Sequence, residues 1–273
     1  DGDPMKQMLQ QAQMIFFDMD GTLYEGRKHY DTYAQQLMLQ VPKNKQESFW
    51  HNYTQAMNKQ LPLKPGTIFL KQSQNIIQVD PFTLSSIFIS DWNGNRVYES
   101  IHIKDLPSDC YIPVGDAWWI AYVCAVQAGS SPDFSAYEKT KEIMLTAQYN
   151  FPKTKNLKES LSRLKSKQKI FICITNSYAE DAKSLLKFLG LYDVFMHIVA
   201  PGNKPQEIKN HFYRYLNLYH LKPEQALSIG DNIFNEIIPA LQMGMPAILL
   251  SDWGEDYTHP RLKIVPTLEN IFD

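Results

Sequence analysis

The chain has 273 residues, 44% hydrophobic and 21% charged, with a formal net charge of −2. That is enough to bury one large core or two smaller ones, and the balance excludes both the basic footprint of a nucleic-acid binder and the polybasic signal of a membrane-surface protein. No run approaches the roughly 18 apolar residues of a spanning helix. Cys110, Cys124 and Cys173 are odd in number and far apart, which fits reduced thiols of a cytoplasmic protein rather than disulfides or zinc. The seven histidines show no ligand spacing. Residues 5–14 are polar and rich in Gln, unlike a secretory leader, and residues 1–4, before Met5, are set aside as an appended segment.

In chain order, residues 14–17 (MIFF) read as a strand buried on both faces. The strand ends in Asp18-Met19-Asp20-Gly21-Thr22-Leu23. Side chains two apart on an extended chain point the same way, so Asp18 and Asp20 share one small volume. Two carboxylates so placed must share a proton or a cation. Helical patterns follow at 30–40 and 46–60, broken at Pro42 and Pro62. Residues 85–101 carry Asn93-Gly94 between apolar segments, a hairpin signal. Helical patterns return at 115–128 and 134–149.

From residue 169 strands and helices alternate. Strands are expected at 169–174, 195–200, 226–229 and 246–250. Helices are expected at 180–189, with Gly190 as its stop, at 206–218, with Ile208, Phe212, Tyr215 and Leu216 on one face, and at 235–243, stopped by Gly244. The rhythm predicts an α/β fold: a Rossmann-like parallel sheet core formed by residues 5–25 and 152–273, interrupted by an inserted α+β domain at 26–151. Ligands of such a sheet bind at the carboxyl ends of its strands.

The stretch DMDGTLY resembles the first motif of the haloacid dehalogenase (HAD) superfamily of phosphohydrolases. Three further motifs follow in order: Thr175 in ICITNS, Lys204 in PGNKPQ, and Gly230-Asp231 with Glu236 a few residues on. The resemblance covers residues 14–24 and 169–250. The insertion corresponds to the family's cap in position only. The resemblance implies a HAD-like core and Mg²⁺ as cofactor, with Asp18, Asp20 (through its backbone carbonyl), Asp231 and Glu236 as the metal site. It implies Asp18 as the nucleophile that forms an aspartyl-phosphate and Asp20 as general acid and base. The Thr175 hydroxyl and the Asn176 backbone N–H would bind phosphoryl oxygens, and Lys204 would neutralise charge and hold Asp18. An acid at position 20 favours phosphate esters over carbon–halogen bonds. The family usually has Asp where this chain has Glu236, and the extra methylene moves the carboxylate by about 1.5 Å.

Trp118, Trp119 and Tyr122 could stack on an aromatic substrate, but residues 117–126 are apolar nearly all round and read as core of the inserted domain. Arg27 and Lys28 lie where the family has a mobile flap. The expected substrate is a small phosphorylated metabolite. A phosphoprotein or phosphotyrosine is the alternative, and a non-catalytic binding module is disfavoured by the intact Asp18, Asp20, Lys204 and Asp231. Substrate identity and oligomeric state are not written in the sequence, and neither nucleic acid nor membrane is expected as a partner.

Overall fold

A computed structural model describes residues 2–150, 156–255 and 257–272. It divides into two compact units, Asp1–Gly26 with Leu145–Asp273, and Arg27–Met144. The expected boundary at 151–152 lies outside the described residues. The first unit opens with helix α1 (Pro4–Gln11). The Asp3 carboxylate accepts the Met5 N–H at 3.0 Å and Pro4 takes the first turn, so part of the segment set aside in the sequence is the helix's cap. At the other end Lys169 Nζ donates to the carbonyls of Gln10 and Ala12. Strand β1 (Met14–Phe17) follows, buried throughout.

The inserted unit contains helices α2 (Lys28–Met38) and α3 (Gln46–Met57), strands β2 (Thr67–Leu70), β3 (Ile76–Val79), β4 (Ser86–Ser90) and β5 (Tyr111–Val114), and helices α4 (Ala117–Gln127) and α5 (Ser135–Met144). Its strands form an antiparallel sheet in the order β4-β3-β2-β5. Helix α4 is apolar around its circumference, and it packs against α2, α3 and β5. Asp116 caps it by accepting the Trp119 N–H at 3.2 Å. Trp118 is buried, as expected, edge-on to Tyr33 and Tyr137 at centroid distances of 5.1 and 5.3 Å. Trp119 is 38% exposed and stands 5.2 Å from Tyr122, so the apolar stretch is not uniformly core. His29 is buried beside Tyr30 and Trp118.

The hairpin at Asn93-Gly94 forms, with Gly94 at φ +94° and the Val97 N–H donating to Ile89 at 2.9 Å. Its returning arm is shorter than expected. Only Arg96 bridges to Ser90 among the described residues, and Tyr98, Glu99 and Ser100 are exposed, with no apolar face to hold them on the sheet.

The first unit resumes with α6 (Leu157–Lys165), β6 (Ile170–Ile174), α7 (Ala179–Phe188), β7 (His197–Val199), α8 (Ile208–Leu218), β8 (Ala226–Gly230), α9 (Ile238–Gln242), β9 (Ala247–Leu250), β10 (Leu262–Val265) and α10 (Glu269–Phe272). Six parallel strands run in the order β10-β9-β8-β1-β6-β7, the open α/β sheet that the strand–helix alternation predicts. Phe16 packs on Phe212 at 4.7 Å, and Phe17 sits edge-on to Phe171 and Phe195 at 5.4 and 5.7 Å. Each fully buried ring contributes about 2 kcal/mol through removal from water.

The helix expected at 235–243 begins instead as a π-helical turn (Ile233–Ile237), in which the Ile238 N–H reaches the Ile233 carbonyl. Pro239 has no N–H to continue the α-helical ladder, and the chain is underwound, with wider i→i−5 turns, before α9 starts. No helix among the described residues is long and apolar enough to cross a membrane.

Candidate active site

The strand register assembles the site. Phe17 lies opposite Cys173 on β6 and Ile229 on β8. Asp18, Thr175 and Asp231 therefore leave three adjacent strands at nearly one level. The Asp18 N–H donates to the Ile229 carbonyl at 3.0 Å, which carries β1 one residue further. The chain then turns tightly: the Thr22 and Leu23 N–H groups both donate to the Met19 carbonyl, with Gly21 at φ +80°. Thr22 Oγ1 donates to Asp18 Oδ2 at 3.2 Å.

Lys204 is the centre of the arrangement. Its ammonium donates to Asp18 Oδ1 at 2.8 Å, to the Ile174 carbonyl at 2.8 Å and to Glu236 Oε2 at 3.3 Å, matching its three N–H bonds to three acceptors. The side chains of Lys204 and Asp18 are only 2% and 10% exposed, so water screens this pair little. Burial alone would pull the Lys204 pKa down. The Asp18 and Glu236 carboxylates outweigh it and hold the ammonium above the ordinary lysine range.

Backbone geometry delivers Lys204 to that point. The Gly202 N–H donates to the Thr175 carbonyl at 2.7 Å, and a Cβ at Gly202 would lie 2.8 Å from Ile174 Cγ2. Only glycine lets the loop close on the end of β6. Asn176 then clamps the lysine backbone: its Oδ1 accepts the Lys204 N–H at 2.7 Å and its Nδ2 donates to the Lys204 carbonyl at 3.0 Å. The family resemblance implies a role for the Asn176 backbone alone. The side-chain clamp links residues 28 apart and has no local signal.

Carboxylate oxygens of Asp18, Asp231 and Glu236 lie within 4.8 Å of one another. Glu236 achieves this by lying across Gly230, where a Cβ would come within 2.2 Å of its Oε1 and 2.6 Å of its Cγ. The longer side chain is thus matched by the bare backbone of the Gly-Asp motif. The turn carrying Glu236 is pinned by Asn232 Oδ1, which accepts from the Phe234 and Asn235 N–H groups at 3.0 and 2.9 Å. Ser228 Oγ also donates to the Glu236 carbonyl at 3.0 Å.

The Asp20 carboxylate does not belong to this trio among the described residues. It accepts from the Tyr24 hydroxyl on Oδ1 and from Ser177 Oγ on Oδ2, the latter at 3.0 Å. Thr175 is fully buried, and its Oγ1 accepts the Ser177 N–H at 3.1 Å. Arg27 and Lys28 belong to the inserted unit, where Arg27 pairs with Asp31 at 3.5 Å and donates to Asn58 at 2.9 Å.

Chemically, three carboxylates face one ammonium, and the excess negative charge of their ionised forms suits a divalent cation. All donors in the trio are hard oxygens, which match Mg²⁺ or a similar ion rather than zinc or copper.

Residues 12–244 match the family model described as haloacid dehalogenase-like hydrolase. Among solved structures, the chain is similar to the HAD-hydrolase YfnB from Bacillus subtilis, crystallised bound to magnesium. The two share 12% identity over 96% of this chain and 97% of that one, with a TM-score of 0.54. It is also similar to the HAD phosphatase from Thermococcus onnurineus, with 13% identity over 95% of each chain and a TM-score of 0.51. At such identities the likeness is one of fold. Comparison with curated protein sequences returned no match. With its family match running from the residues just before β1 to the end of α9, the chain belongs to the haloacid dehalogenase-like hydrolases.

Proposed function

We propose that this hydrolase is a Mg²⁺-dependent phosphomonoesterase that works through an aspartyl-phosphate on a small phosphorylated metabolite. The observation that supports the reading most directly is the Lys204 ammonium 2.8 Å from Asp18, beside two further carboxylates. A carboxylate so paired is held in place, which a nucleophile toward phosphorus requires. Asp18 attacks phosphorus. As its P–O bond forms, the bond to the substrate alcohol breaks, and the departing oxygen takes a proton from Asp20. Water then attacks the same phosphorus and gives a proton to Asp20. The bond to Asp18 breaks, and phosphate leaves with both acids restored.

Thr175 Oγ1 and the Asn176 N–H hold phosphoryl oxygens, and Lys204 offsets their charge. Asp18, Asp231 and Glu236, with the backbone carbonyl of Asp20, would hold Mg²⁺, which would supply the positive charge that lets an anionic nucleophile meet a dianionic ester. Asp20 favours ester hydrolysis over dehalogenation, because the acid two residues past the nucleophile serves to protonate an alcohol. In this reading the inserted residues 27–144 act as the cap and carry the choice of substrate. The three cysteines are free, which suits the cytoplasm.

The test is hydrolysis of p-nitrophenyl phosphate with Mg²⁺ or with EDTA, by the wild type and by Asp18→Asn. The expected result is turnover that needs Mg²⁺ and falls on the order of 10³-fold or more in the variant. Turnover indifferent to the substitution would overturn the mechanism.

A further inference from the structure

Asp18 and Asp20 lie two residues apart yet are held differently. Asp18 accepts from the Lys204 ammonium on one oxygen and from the Thr22 hydroxyl on the other, whereas two hydroxyls reach Asp20, Tyr24 on one oxygen and Ser177 on the other. Both hydroxyl residues are fully buried. They come from separate segments, Tyr24 from the turn after β1 and Ser177 from the end of β6, 157 residues away from Asp20. The Ser177 backbone is in turn tied to Thr175 Oγ1.

A carboxylate turns easily about its terminal bond. A single partner leaves that rotation open, while two partners on different segments fix the plane. The kind of partner matters too. Lysine and arginine can only donate, so they lock a carboxylate in its ionised form, but a hydroxyl both donates and accepts. We infer that Tyr24 and Ser177 are positioning residues that fix the Asp20 carboxylate, one hydroxyl per oxygen, for handing a proton to the leaving oxygen and taking one back from water. The inference rests on the phosphatase reading above.

The experiment uses the full chain with Mg²⁺ and two esters of similar shape, p-nitrophenyl phosphate and phenyl phosphate. The quantity compared is kcat/KM, which reports the steps up to departure of the phenol. The first leaving group is acidic enough to depart without a proton, and the second is not. Tyr24→Phe and Ser177→Ala should each lower kcat/KM for phenyl phosphate on the order of 10- to 100-fold, with only a small loss on the nitrophenyl ester. In an Asp20→Asn background neither should cost anything more on either ester. If Tyr24→Phe fails to fold, Ser177→Ala carries the test alone. Equal losses on the two esters, or losses that add to that of Asp20→Asn, would mean a merely structural role and overturn the inference while leaving the phosphatase reading intact. A wild type that turns over neither ester would remove both.

Discussion

The two units of this chain solve the problem of placing buried polar groups differently. In the first, the parallel register puts Asp18, Thr175 and Asp231 at one level, and a single ammonium, Lys204, bonds the Asp18 and Glu236 carboxylates. In the inserted unit one of the buried polar groups is His29, set among aromatic rings and kept neutral by burial, with its pKa pushed down to about 3. One region gathers carboxylates around an ammonium, and the other sets a neutral imidazole and the buried Lys141 ammonium among aromatic rings, with Lys141 Nζ 5.6 and 5.1 Å from the Trp118 and Tyr137 rings. The contrast teaches that burial alone does not mark a reactive site. Buried charge that is paired and oriented does.

The largest break of this contrast should come from Lys204→Met. The Asp18 and Glu236 carboxylates would lose their shared partner, and kcat/KM for p-nitrophenyl phosphate should fall on the order of 10³-fold. Unfolding at neutral pH should be easier by roughly 3–5 kcal/mol, because a buried charge cluster is left uncompensated. The raised pKa gives the sign of the pH dependence. The lysine's contribution is complete below its ordinary value of 10.5 and fades only as pH climbs through the higher folded-state value. Denaturant titrations of wild type and variant across alkaline pH would detect this, and curves that stay parallel there would contradict it.

Gly230→Ala sharpens the same point with one methyl group. The new Cβ would sit 2.2 Å from Glu236 Oε1, so Glu236 must move away from Asp18 and Asp231. Activity should drop on the order of 10²-fold, as expected for a misplaced site group. The accompanying loss of stability should be relieved in Gly230→Ala/Glu236→Ala, where the clash is gone. A crystal structure of the single variant with Glu236 unmoved would refute the steric account.

The inserted unit should respond to acid instead. His29 is neutral when folded but titrates near 6.5 when unfolded, so its contribution is present above pH 6.5 and is lost as pH falls toward 3. The limiting slope is about 1.4 kcal/mol per pH unit. His29→Gln should flatten the acid side of the stability profile, and an unchanged slope would point to another group.

Much of this was legible in local patterns. The apolar runs of β1, β6, β8 and β9 announced buried parallel strands; three of the four motifs lay at the ends of β1, β6 and β8, and Lys204 lay in the loop after β7. Other elements lacked their usual signals. The β2–β3 hairpin turns at Gln74, at φ +62°, where glycine or asparagine would have marked it. Strand β5 contains Pro113, tolerated because β5 lies at the sheet edge. Strand β10 is a half-exposed edge strand with a lysine in it. The turn before α9 became π-helical because of a proline whose effect depends on the ladder around it.

The sequence by itself determined the alternation of elements, the acids at the end of β1 and the order of the reacting groups, because these follow from side-chain period and from short contiguous motifs. Only the tertiary structure decided how they pair. It set Lys204 on Glu236 as well as on the Asp18 that the family resemblance implies, the Asn176 side chain on the Lys204 backbone, and Tyr24 with Ser177 on Asp20. Most of these partners are separated by tens to hundreds of residues, and what joins them is the strand register and the close approach allowed at Gly202 and Gly230. Neither leaves a trace in any window of sequence short enough to read as a pattern.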